Sequence, residues 1–302
     1  SLVLERLDEG VKNKVLELLR AVNGKELAIN LAIAYAKANL HFDFSLVFYD
    51  VTTLYFETFT QDDLRKSGFS KDNKSNQPQI LIGLVVNETG FPVYYDIFKG
   101  NTFEGKTIIP VMLTLKQKYQ ISKLTVIADA GMLSAKNLSE LQEHGIDYVV
   151  GARIGYLNIE EITTVADALN QTDRKIVRKD DIIFEYSAKR AAKDKSDNDK
   201  QLKRADFYLN HPGKVMRRSK FITLVGKKTY KLNEKLIAKH RLSEGIKGYT
   251  TNIRDISPEL LVARYRDLWK IEQSFRIAKS DLEARPIYHR KQSSIEYHIL
   301  IV

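Results

Sequence analysis

The sequence predicts an α/β protein in which a mixed sheet is flanked by helices and interrupted late in the chain by an inserted β-rich subdomain. Three observations carry this. Strand-like and helix-period runs alternate between residues 45 and 155. Two of those strands carry an aspartate near or at an end, Asp50 and Asp129. Residues 155–250 change character, with short β-like pieces set among dense charge.

Each element has its own signal. LVLERLDEGVKNKVLELLR and LAINLAIAYAKANL alternate apolar and charged positions at helical spacing and break at Asn23-Gly24, predicting two helices over 1–40. SLVFYDVTTLYF is rich in β-branched and aromatic residues, a strand carrying Asp50, and the polar TQDDLRKSGFSKDNKSNQ after it reads as a loop. PQILIGLVVNETGFPVYYDIF gives two strands turning at Glu88-Thr89-Gly90. TIIPVMLTLKQKYQ is a helix with Pro110 tolerable only near its first turn. KLTVIADA is a buried-type strand ending at Asp129, SAKNLSELQEHG a helix capped by Ser134 and closed by Gly145, and IDYVVGAR a further strand. The resulting order, β-β-β-α-β-α-β, is the ribonuclease H-like arrangement, whose first and fourth strands lie side by side and bring their aspartates to one edge.

Beyond residue 155, DIIFEYSAK, ADFYLN, KFITLVGK and KTYKLN read as short strands, and the run KRAAKDKSDNDKQLKR as a solvated loop near 189–204. ISPELLVARYRDLWKIEQSFRIAKSDL reads as one long helix, capped by Ser257, with Pro258 in its first position and Glu259 in its first turn. Three segments follow: a helical one over 1–44, the sheet domain over 45–154 and 251–302, and the insertion over 155–250. Ser1 in place of an initiator Met, and an end within the apolar pattern YHILIV, predict a piece of a longer protein.

Composition narrows the chemistry. The chain has 302 residues, 43% of them hydrophobic, and no apolar run near the roughly 18 residues of a membrane span. It has no cysteine, which excludes disulfides and thiolate metal sites. His41, His144, His211, His240, His289 and His298 are scattered without ligand spacing, so oxygen ligands and hence Mg²⁺ or Mn²⁺ remain. A net charge of +10 points to a polyanionic partner, and KVMRRSK (214–220) and KKTYKLNEKLIAKHR (227–241) place cations beside aromatics in the insertion, as a contact to a DNA backbone would.

Two patterns compete for the chemistry. GNTFEGKT (100–107) matches G-x-x-x-x-G-K-T, the phosphate-cradling loop of nucleotide triphosphatases. Its variable positions are bulky, Glu104 would repel a triphosphate, and the strand before it is a hairpin arm carrying Asp96. The second pattern lies on the last helix, where Tyr265, Glu272 and Lys279 fall seven residues apart and project from nearly one face beside Leu261, Leu268 and Phe275. A carboxylate on that apolar face needs a cation, which a divalent metal shared with Asp50 and Asp129 supplies. Trp269, one step off that face, reads as core.

YDVTTLYFE, GFPVYYDIFKGNTFEGKT, VIADAGMLS, YVVGAR and YRDLWKIEQSFRIAKSDLEARPIYH together resemble the catalytic domain of insertion-sequence DDE transposases, in the group with a β-strand insertion and a Tyr-Arg-Glu-Lys signature helix. The resemblance spans residues 45–155 and 250–300 and implies a fold of the retroviral-integrase superfamily. It implies Asp50, Asp129 and Glu272 as catalytic and metal-binding residues for two Mg²⁺ or Mn²⁺ ions. It implies that Tyr265 and Lys279 face the DNA backbone, with Lys106 and Thr107 offering a helix N-terminus to a phosphate and Thr52 a hydroxyl near metal or DNA. The partners implied are transposon-end and target DNA and a second copy of the chain, in a bacterial or archaeal cytoplasm. One position departs from the signature: three residues after Tyr265 stands Leu268 instead of Arg, with Arg266 and Lys270 as the nearest cations. Leu268→Arg is therefore expected to tighten binding of DNA ends. Two other readings remain open, a catalytically silent DNA-binding remnant and a ribonuclease H-like nuclease without strand transfer.

Overall fold

In a computed structural model the described residues are 8–68, 77–132, 134–211, 213, 219–226 and 229–302. Parts of the stretch expected to be a polar loop (69–76) and of the two cationic stretches (214–218, 227–228), and residues 1–7 of the first expected helix, lie outside them.

In chain order the helices are α1 (Glu9–Ala21), α2 (Gly24–Asn39), α3 (Ile108–Lys118), α4 (Ala135–Glu143), α5 (Ile159–Leu169), α6 (Ala188–Asn210), α7 (Glu234–Leu242), α8 (Pro258–Arg266), α9 (Trp269–Arg276) and α10 (Gln292–Ile301). The strands are β1 (Leu46–Tyr55), β2 (Gln79–Val86), β3 (Pro92–Lys99), β4 (Thr125–Ala128), β5 (Asp147–Ala152), β6 (Ile176–Lys179), β7 (Ile182–Tyr186), β8 (Ile222–Leu224), β9 (Tyr230–Leu232) and β10 (Ile246–Thr251). The chain divides into two compact units: 1–150 with 252–254 and 263–302, and 151–251 with 255–262.

The first unit is built on strands in the spatial order β3-β2-β1-β4-β5, with β3-β2-β1 antiparallel and β1-β4-β5 parallel. This order is ribonuclease H-like, as the sequence predicts. Alternation decides which side chains share a face. Val47, Tyr49 and Val51 of β1 point with Val126 and Ala128 of β4 and Tyr148 and Val150 of β5 into a core closed by α2 and α3, through Ile29, Ile33, Ile108, Val111, Met112 and Leu115. The residues between them, Asp50 and Thr52 among them, point to the other face. α9 packs against β1 and β2.

The second unit differs from expectation. Its strands pair as β10-β7-β6, antiparallel throughout, with β8-β9 a separate two-stranded ladder. Helix nevertheless outweighs strand, so the insertion is mixed α/β and not β-rich. The charged run read as a loop, and ADFYLN read as a strand, are both part of the 23-residue α6. Ser187 caps that helix by accepting from the Arg190 N–H, and Arg190–Asp194 lies on its surface at i,i+4. Lysine, alanine, arginine and glutamine are good helix formers, so a charged run need not be a loop. Among the described residues no helix is long and apolar enough to cross a membrane.

Candidate active site

Parallel pairing of β1 with β4 runs Leu46↔Thr125, Val47↔Val126 and Phe48↔Ile127. Continued by two residues at the same offset, this register sets Asp50 beside Asp129, immediately past the end of β4 at Ala128. Neighbouring strands run about 4.8 Å apart where they are paired, which here extends to Phe48↔Ile127. Both aspartates have the parity of Thr52, on the face that α9 covers. Asp50 is half-buried and Asp129 exposed, open to a solvated ligand.

The turn that follows fixes Asp129 from behind. Met132 N–H donates to the Asp129 carbonyl at 3.2 Å, closing a short 3₁₀ turn over Ala130–Met132. Asn137 of α4 then donates to both Gly105 O (2.6 Å) and Met132 O (3.2 Å), tying this turn to the one at 104–106. The sequence gives no sign of Asn137 in this role.

The helix expected to carry Tyr265, Glu272 and Lys279 on one face is broken. α8 ends at Arg266, and Asp267, Leu268, Lys270 and Ile271 bond three residues back, to Arg264, Tyr265, Asp267 and Leu268. A 3₁₀ turn takes 3.0 residues against 3.6, so this stretch adds roughly 60° of rotation. Tyr265 is buried, Glu272 exposed and Lys279 half-buried. α9 then widens into a π turn over Ile277–Asp281, which holds Lys279. Ser257 does cap α8, accepting from Leu260 N–H at 3.3 Å. Trp269 is not core, being 54% exposed, because the same rotation turns it outward.

Leu268 is 9% exposed, so an arginine in its place would bury a guanidinium instead of meeting a phosphate. Lys270 does not substitute for it either. Its ammonium donates to Glu88 O (2.7 Å), while Ser274 donates to Gly90 O (2.8 Å) and Arg264 to the Glu88 carboxylate (2.6 Å). These bonds clamp α8 and α9 to the β2–β3 hairpin across more than 170 residues of sequence. No local pattern foretells them.

Of the other predicted residues, Lys106 is exposed just before α3. Thr107 is fully buried, accepting from the Tyr49 phenol (2.7 Å) and donating to Glu104 O (2.6 Å), so it holds the core and offers nothing to a phosphate. Burial above all pushes the Tyr49 phenol far above its ordinary pKa, keeping it a neutral donor. Thr52 and Lys279 both line an apolar cavity of about 630 Å³ with Leu54, Ile82, Phe275 and Ala278.

The two glycines of GNTFEGKT now have a reason. A Cβ on Gly100 would stand 2.0 Å from Gln79 O and 2.2 Å from Lys66 O, and one on Gly105 would stand 2.8 Å from Met132 O. Close backbone approach, not a phosphate cradle, selects them.

The donor chemistry of Asp50 and Asp129 fits a hard divalent cation: acceptor-only oxygens at neighbouring positions, one half-buried and one exposed. Among the described residues no group of three or more His, Cys, Asp or Glu side chains lies close enough to hold a metal ion.

The sequence profile described as the transposase DDE domain matches residues 41–302. No curated protein matches the chain. Among solved structures, the piggyBac transposase synaptic complex with hairpin DNA aligns at a TM-score of 0.44 and 10% identity, over 85% of this chain and 44% of that one. The Mos1 transposase paired-end complex with left transposon end aligns at a TM-score of 0.25 and 12% identity, over 41% of this chain and 40% of that one. The chain thus spans less than half the length of either.

Proposed function

From the premise that the chain belongs to the transposase DDE-domain family, whose profile covers residues 41–302, we propose that it cleaves phosphodiester bonds at transposon ends and transfers the freed strand to target DNA. What supports this reading is the parallel pairing of β1 with β4 up to Phe48↔Ile127, a register that brings Asp50 toward Asp129 if it is carried on by two residues. In this reading the two aspartates hold the divalent cation, Mg²⁺ or Mn²⁺, and Glu272 on α9 is the third ligand, for two ions in all. When bound, such a pair activates an attacking oxygen and stabilises the leaving one.

The chain's own side chains then have separate tasks. Asp50 and Asp129 orient their oxygens toward the scissile phosphate. Lys106, exposed beside the N-terminus of α3, and Lys279 on the π turn neutralise backbone phosphates. Thr52, two residues after Asp50, is assigned a hydroxyl contact near the cation or the nucleic acid end. Two copies acting on two ends complete the proposal.

A second reading, a DNA-binding remnant without catalysis, is favoured by the buried Leu268 at the signature's arginine position. Labelled duplexes carrying the element's own ends, incubated with Mg²⁺, separate the two. Wild type is expected to nick them and Asp129→Ala not to; equal behaviour of the two proteins would leave only the remnant. Joined products, in addition to nicks, distinguish a transposase from a plain nuclease.

A further inference from the structure

Tyr265 is 6% exposed, and its phenol oxygen stands 3.4 Å from Asp129 Oδ1. A side chain so enclosed has little surface to offer a DNA backbone. We infer that Tyr265 is a positioning residue for Asp129, its hydroxyl fixing the carboxylate that the cation requires. This rests on the reading of Asp129 as an ion ligand and deepens it.

A neutral phenol can donate to a carboxylate, and a buried tyrosine hydroxyl needs a partner. With Oδ1 engaged, Oδ2 is directed over Gly131, where a Cβ would stand at an ordinary 3.7 Å. One oxygen is therefore held by the phenol and the other lies beside Gly131. The main chain of Asp129 is fixed by the 3₁₀ turn that Asn137 ties down, so the phenol governs what remains, rotation about the side-chain bonds.

The same bond has a second consequence. Tyr265 lies seven residues before Glu272, across the 3₁₀ turn, so the phenol also links the end of β4 to the helix pair that carries the third carboxylate. Losing the hydroxyl loosens the aim of Asp129. Groups that hydrogen-bond a metal ligand typically change metal affinity about 10–100-fold when removed.

Tyr265→Phe keeps the buried ring and removes only the donor. Mn²⁺ affinity of the whole chain, measured without DNA by electron paramagnetic resonance or calorimetry, is expected to fall about 10-fold, while melting temperature and affinity for a generic DNA duplex stay near wild type. Unchanged Mn²⁺ affinity with weakened duplex binding would overturn the inference in favour of a backbone contact. Unchanged Mn²⁺ affinity with a lower melting temperature alone would overturn it in favour of packing. Asp129→Asn is the control: if it too binds Mn²⁺ like wild type, the ligand reading itself falls, whereas a loss there with none in Tyr265→Phe sinks the positioning role alone.

Discussion

Different forces hold each of the two units together internally. In the first, β4 is buried at every position, β2 at seven of eight and β1 at seven of ten, so apolar contact fixes these strands. In the second, the 23-residue α6 buries only Asn198 and Ala205 along its length. Its place is set by polar links instead: Asp199 to Arg241, Asn198 to Glu244 (3.0 Å) and the Gly245 N–H to Asp194 (3.1 Å). A sheet buried on both faces is hard to deform, which suits side chains that must meet within a fraction of an ångström. A helix held by exposed charges is sensitive to salt and acid.

That contrast can be broken or sharpened at four places. The largest effect is expected from Gly100→Ala, whose added methyl has backbone carbonyls 2.0 and 2.2 Å away. Neither carbonyl can swing aside as a side chain would, so loss of soluble folded protein or destabilisation above about 4 kcal/mol is expected in urea melts. Next comes Leu268→Arg. The position is 9% exposed, so the substitution is expected to cost roughly 3 kcal/mol or more through an unpaired buried charge, and not to tighten DNA binding.

Tyr49→Phe is milder. It removes the buried phenol's bond to Thr107 and leaves that hydroxyl its bond to Glu104 O, for an expected loss of about 1–2 kcal/mol in the same melts. The smallest effect belongs to the second unit. Arg241→Ala removes the partner of both Asp199 and Glu244. The hydrogen bond from Arg241 holds Asp199 below its ordinary carboxylate pKa, so the folded state binds fewer protons there than the unfolded one. The stabilisation is present above the unfolded value of about 3.9 and is lost as pH falls through the folded one. The difference in melting temperature between Arg241→Ala and wild type should therefore shrink below about pH 4 and in high salt. No comparable acid dependence is expected for Tyr49→Phe, since that phenol stays neutral throughout.

How much of this the residues announce follows the same division. Alternation and turn chemistry reveal β1 to β5, the hairpin at Asn87–Gly90, the Asn23-Gly24 break and the Ser134 cap, because apolar burial and backbone geometry leave local signatures. The pairing of β1 with β4, the strands that carry or lead to Asp50 and Asp129, follows from strand order alone. α6 is hidden because its stabilising contacts are charge pairs, which resemble a solvated loop in composition. The 3₁₀ turn at Leu268 is hidden because it answers to Glu88 and Gly90, more than 170 residues away in sequence. Hence Tyr265 and Glu272, evenly spaced in sequence, come to different environments, and Trp269 turns outward. The glycines of GNTFEGKT show the converse, a genuine pattern whose cause is the close approach of Gln79, Lys66 and Met132 carbonyls.

The central claim is that Asp50 and Asp129 form one seat for a divalent cation. Mn²⁺ titration of the intact chain without DNA, followed by electron paramagnetic resonance, tests it on wild type, Asp50→Asn, Asp129→Asn and the double variant, with far-UV circular dichroism as the check on folding. Each single variant should lose most of the bound Mn²⁺, and the double should lose little more than either, since both remove the same seat. Binding unchanged by either substitution, or two independent and additive losses, would contradict it.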